Sequence, residues 1–156
     1  MGEDARFEDA RGEGPVALRA LDGDDVKVIS TLVQDAIFPI GEMRWDRRRR
    51  RFALLVNRFR WEDRVPGRAP ERVQAVLAIE DALRVSTQGL DRGDRDLVLS
   101  LLALDWAPGE DGTGTITLLL AGDGAIAVEV EALEVTLRDV TKPYAAPSGK
   151  TPSHPE

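Results

Sequence analysis

The sequence predicts an α+β domain: a mostly antiparallel sheet or small barrel closed by helices. Three observations predict it. One stretch near the start repeats its apolar residues at the helical period, most of 43–131 repeats them every second residue, and the connections are short and polar. At 156 residues the chain has the length of one domain and can bury a core without disulfide or metal staples.

The elements follow in order. Residues 1–15 are acidic, polar and glycine-containing, and read as a disordered arm. Residues 16–140 form the single α+β domain. Val16–Leu21 is a short apolar run fit for a first strand. Asp22 can cap a helix, and Asp24 and Asp25 put negative charge at its positive dipole end. Ile29, Leu32, Val33, Ala36 and Ile37 then make one stripe, and Pro39 and Gly41 stop it, so the helix is expected over 23–37. After Gly41 the period becomes two: Met43 and Trp45, then Phe52–Trp61, with Arg47–Arg51 as the hairpin connection and the start of the return strand.

Residues 62–70 are a loop by composition. Residues 71–83 fit either a helix or a strand, and the β-branched residues continuing to Thr87 favour strand. As an edge strand, Val73–Ile79 could pair across a two-fold axis. Leu97–Trp106 is apolar enough for a central strand. Ile116, Leu118 and Leu120, then Ile126, Val128 and Val130, flank the Asp-Gly turn of a tight hairpin. Val130, Leu133, Leu137 and Val140 step by three and four, which predicts a short closing helix over 132–140, with a continued strand as the alternative. A pleckstrin-homology-like barrel with a terminal helix is one member of this class. Residues 141–156, rich in proline, read as a disordered tail.

Composition excludes several chemistries. The chain has no cysteine, so disulfides, thiolate nucleophiles, iron–sulfur clusters and cysteine-based zinc sites are excluded. Its single histidine, His154, lies in the tail, which leaves no second imidazole for a metal and no well-placed base for a serine nucleophile. No apolar run reaches the roughly 18–20 residues of a membrane helix, and the acidic N-terminus has no signal-peptide core. A soluble cytoplasmic protein without membrane, metal or cofactor is expected.

Motifs with catalytic overtones have simpler readings. Ser148-Gly149-Lys150-Thr151 ends like a phosphate-binding loop, but Tyr144 stands where its first glycine belongs. Gly122-x-Gly124-x-x-Ala127 matches a relaxed dinucleotide fingerprint, yet it leads into a strand rather than a helix. Asp91, Asp94 and Asp96 lack the calcium-loop spacing and read as a solvated turn. No pair among the 28 acids is singled out for acid–base work.

Charge is the unusual feature. Residues 44–72 hold eleven arginines against four acids, a net +7, which leaves −14 for the remainder of a chain whose total is −7. Arginine outnumbers lysine 18 to 3, much of which reflects GC-rich coding. The arginines alternate with aromatics in Arg44-Trp45, Arg51-Phe52 and Arg58-Phe59-Arg60-Trp61. Arg44, Arg47, Arg48, Arg49, Arg50, Arg51, Arg58 and Arg60 are the candidate anion or partner surface. The competing reading is that the aromatics are core and the arginines a solvated or acid-neutralised flank. A non-enzymatic domain that contacts an anionic protein is the function expected. Binding of RNA or single-stranded nucleic acid is the alternative, disfavoured by the negative total charge. A carboxylate-based enzyme whose site is invisible in sequence is the third.

The stretches Leu21-Asp22…Gln34-Asp35-Ala36, Arg51-Phe52-Ala53-Leu54…Asn57-Arg58-Phe59-Arg60-Trp61-Glu62 and Val98-Leu99-Ser100-Leu101-Leu102-Ala103 resemble an uncharacterised alphaproteobacterial family, domain of unknown function 2948. The resemblance covers about residues 16–143, and Phe52–Glu62 is its most specific part. It implies a stand-alone bacterial cytosolic protein and carries no activity or residue role.

Overall fold

The computed structural model describes residues 15–63, 66–67, 71–90, 93–141 and 144–145. Eleven strands and one α-helix follow in chain order: β1 Ala17–Ala20, α1 Gly23–Leu32, β2 Ile37–Pro39, β3 Met43–Asp46, β4 Arg51–Phe59, β5 Glu71–Ile79, β6 Ala82–Gln88, β7 Val98–Pro108, β8 Gly114–Leu120, β9 Ala125–Val130, β10 Val135–Asp139 and β11 Tyr144–Ala145. All the pairings are antiparallel. The ladder runs β1-β10-β5-β4-β2-β7-β8-β9-β6, with β3 added to β4 and β11 to β5.

The α+β class and the antiparallel sheet agree with the sequence. Closure does not: β1 and β6 end the ladder without pairing to each other, so the sheet is open. The expected barrel, and its pleckstrin-homology-like form, therefore have no support in the structure.

The helix is shorter than its stripe. Asp22 caps it, accepting from Asp25 N at 2.8 Å, and Val26, Ile29 and Leu32 face inward. It ends at Leu32 rather than residue 37 because Asp35 turns into the left-handed region, at φ 63°. The backbone of 35–36 then bonds to β7 instead: Asp35 N donates to Leu101 O, and Leu101 N to Ala36 O, both at 2.8 Å. Val33 and Ala36 keep the helical spacing yet reach the same core through a turn.

At the other end, 132–140 is not a helix. Val135 and Leu137 point inward from β10, between β1 and β5. A strand buries both side chains and satisfies backbone groups on its two flanks, which an isolated short helix cannot match. Residues 71–79 are strand and interior, flanked by β4 and β10, so Val73–Ile79 is no edge for a dimer. Asp81, at φ 52°, redirects the chain so that β6 leaves β5 and joins β9. The hairpin at 114–130 is present; Gly114 has no side chain because a Cβ there would sit 2.5 Å from Ala107 O, under the Trp106 ring.

The core is one contiguous cluster. It joins Phe52, Leu54 and Val56 of β4, Leu77 and Ile79 of β5, Leu101 and Leu104 of β7, and the inward rows of β8, β9 and β10 beneath α1. Strand β4 departs from expectation in one respect. Its end, not its start, is buried on both faces, at Arg58 and Phe59. The domain also extends past 140, since Val140 N donates to Gln74 O and β11 pairs with Arg72 and Glu71. Residues 1–14 of the acidic arm (1–15), the Ser148–Thr151 motif and His154 lie outside the described residues.

Candidate functional site

Two arginine sites grow from the same strand. The first continues the inward row of β4. After Phe52, Leu54 and Val56 the next inward residue is Arg58, which is 0% exposed. All five guanidinium N–H groups are used. Nε donates to Asp139 Oδ1 at 3.0 Å. Nη2 donates to Asp139 Oδ2 at 2.9 Å and Glu62 Oε2 at 2.8 Å. Nη1 donates to Glu62 Oε1 at 2.9 Å and Phe59 O at 3.0 Å. Two carboxylates thus bind one guanidinium in bidentate fashion, the strongest geometry available to the pair.

Burial pushes the Arg58 pKa down. Its hydrogen bonds to Glu62 and Asp139 and their charges push it up, and the net result lies above the ordinary value. A raised pKa means the stabilisation is complete below the ordinary guanidinium range and is lost only above it, so Arg58 stays charged wherever the protein folds.

Asp139 also ties the first strand in. Val16 N donates to its Oδ2 at 2.8 Å, and Asp139 N donates to Val16 O at 2.9 Å. Around this centre Arg60, 5% exposed, donates to Glu71 at 3.0 Å. Arg72 stacks 3.9 Å over the Phe59 ring, Phe59 packs on Trp61, and Trp61 Nε1 donates to Gln34 O at 2.9 Å.

The second site is the β3–β4 connection. Residues 47–50 form a tight turn in which Arg49 N donates to Asp46 Oδ1 at 3.1 Å and Arg50 adopts φ 55°. Arg47, Arg48 and Arg49 project into solvent. Arg49 stands 3.9 Å from Asp46, Arg50 is paired with Glu131, and Arg51 lies 2.8 Å from Glu80. Arg44 is exposed and donates to the backbone carbonyls of Gly41 and Met43. Among the described residues, Arg47 and Arg48 have no carboxylate within reach. Beside them lies a cleft of about 460 Å³ lined by Trp45, Arg47 and Arg50 on one wall and Ala82–Val85 on the other.

The eight candidate arginines therefore divide. Arg58 and Arg60 are corrected: they belong to the interior, because the row that carries Phe52, Leu54 and Val56 carries Arg58 too. Arg50 and Arg51 are neutralised by Glu131, just after β9, and by Glu80 of the β5–β6 turn. Arg44, Arg47, Arg48 and Arg49 remain as an exposed basic tip. Sequence reading missed Arg84 and Leu83, which face the tip from β6. It also missed Glu62 and Asp139. Glu62 had a signal, four residues after an arginine in phase with the core; Asp139, 81 residues away, had none.

Other motifs resolve simply. Gly122–Gly124 is a hairpin turn. Asp94 accepts from Asp96 N within its own turn, and Asp91 lies outside the described residues. Among the described residues no cluster of acids could hold a metal ion, and no helix is long and apolar enough to cross a membrane.

Comparison with known proteins gives a family and nothing beyond it. No curated protein and no solved structure matches this chain. The family model described as protein of unknown function (DUF2948) matches residues 16–154, nearly the whole chain, and the chain belongs to that family.

Proposed function

We propose that this member of the family is a binding protein whose basic β3–β4 tip contacts an anionic protein partner. The observation that carries the reading is the pair Arg47 and Arg48. They are exposed, lack a carboxylate partner among the described residues, and stand on a turn held by Asp46 and by the β3–β4 ladder. A rigid turn presents guanidinium forks at low entropic cost, and such forks suit carboxylates. Glu62 and Asp139 are both bound to Arg58, which leaves neither free for acid–base work. The cysteine-free composition accords with a reducing bacterial cytosol.

The test is fluorescence anisotropy with a labelled flexible dodecapeptide of Glu, Asp and Gly. A mixed-sequence single-stranded oligonucleotide is run in parallel. Binding of the peptide at about 50 mM salt, its loss near 1 M, where screening acts within about 3 Å, and its loss in the Arg47→Ser/Arg48→Ser/Arg49→Ser variant are expected. Tighter binding of the oligonucleotide, falling steeply with salt, would replace the protein partner by nucleic acid. Unchanged peptide binding by the triple variant would remove the tip from the function.

A further inference from the structure

We propose that the cleft between β3 and β6 receives an extended acidic peptide that adds to β6 as an extra strand. This rests on the basic-tip reading and specifies what the tip recognises. Among the described residues, strand β3 pairs with β4 alone, and β6 with β9 alone. Each therefore turns one row of backbone N–H and C=O groups away from its neighbour, and such a row is a template for another chain. The two open edges bound the same cleft. It is stitched at one end, where Ala82 N donates to Arg50 O at 2.8 Å.

Protective devices are sparse along this edge. The run Leu83–Gln88 holds one charge and no proline, and its only register shift lies at its start, between Ala82 and Arg84. Leu83 is 53% exposed, while Trp45 and Val85 are partly buried against the core. Apolar side chains of an added strand would meet this row.

Charge chooses the occupant. Arg47, Arg50 and Arg84 surround the cleft. Glu131 and Glu129 hold the latter two at exposed positions, with Arg84 only loosely paired at 3.7 Å, and Arg47 has no acid within reach among the described residues. A second copy of this chain pairing through β6 would bring Arg84 and no carboxylate, since Ala82–Gln88 holds no acid, and so would leave the arginines of the cleft unanswered. A strand alternating acidic and β-branched residues satisfies both rows, because its side chains alternate faces as those of β6 do.

The experiment uses the full chain and two labelled heptapeptides. One is Glu-Val-Glu-Val-Glu-Val-Glu; the other has the same side chains with alternate backbone nitrogens methylated. The parent peptide is expected to bind at least about tenfold tighter, since methylation removes two or more main-chain hydrogen bonds. Amide hydrogen exchange over 83–88 should slow when it binds, and Arg47→Ser should weaken it. Equal binding of both peptides with unchanged exchange overturns strand addition and leaves the basic-tip reading intact. Failure of both heptapeptides while the flexible acidic dodecapeptide binds does the same; failure of all three removes both readings. A chain that sediments as a dimer with 83–88 already protected assigns the edge to a second copy and overturns the peptide proposal.

Discussion

Arg58 and Arg48 are ten residues apart in one hairpin and have opposite fates. Arg58 lies in the interior with every donor used; Arg48 stands in water with no acid beside it among the described residues. What separates them is strand phase and partner supply. Arg58 falls on the row set by Phe52, Leu54 and Val56, so the pleat carries it inward. Glu62, four residues on, and Asp139 from β10 then neutralise it. Arg48 sits in the turn, where no pleat dictates its direction. Positive charge in a sequence is thus not positive charge on a surface: of eight arginines that look alike, two are interior.

The largest effect should come from breaking the interior site. Arg58→Ala strips Asp139 of its buried cation and leaves Glu62 only the more distant Arg60, at 3.7 Å. It should cost about 3–5 kcal/mol, read as a fall in the urea midpoint without a change in slope. Arg58→Lys should recover only part of this, because an ammonium cannot serve two bidentate carboxylates at once. Next comes the partner: Asp139→Asn keeps the shape but removes the charge and turns one acceptor oxygen into an NH2 donor facing N–H groups of Arg58 or Val16, for a loss of about 1–3 kcal/mol. A double-mutant cycle between 58 and 139 should show coupling of about 0.5–3 kcal/mol; zero coupling would mean that the cluster is not one unit. Arg60→Ala should cost less than Arg58→Ala, since its partner Glu71 keeps 40% of its side chain in water. Smallest is the tip: Arg47→Ser/Arg48→Ser should move stability by no more than about 0.5 kcal/mol, while abolishing capture of acidic peptide. A large loss of stability there would erase the contrast between the two sites.

Much of the fold was legible because period two is a physical necessity for a sheet with one buried face. The 114–130 hairpin, the β3–β4 hairpin and the strand character of 71–79 all follow from it. The errors share a cause. Val33, Ala36 and Leu133–Val140 carry helical spacing, but spacing reports only burial, and a turn or a strand can bury the same side chains. The interior arginine was half visible: its phase was plain and Glu62 stood at the right distance, yet its last neutralising acid arrives from β10, where tertiary pairing alone decides. The seam beside β6 was hidden for the same reason, since its two walls lie about forty residues apart in the chain.

The bond between Val16 and Asp139 has a consequence for how the molecule is made. Arg58 is synthesised early, but one of its two counterions emerges late, and the strand that counterion fastens, β1, precedes both in the chain. During synthesis the nascent chain must therefore carry a cation with only one of its two counterions, and its strand β1 lacks the strand it pairs with. Maturation of this interior belongs to the finished chain, and a nascent polypeptide stalled before residue 139 should remain open to proteases however many of its hairpins have already formed.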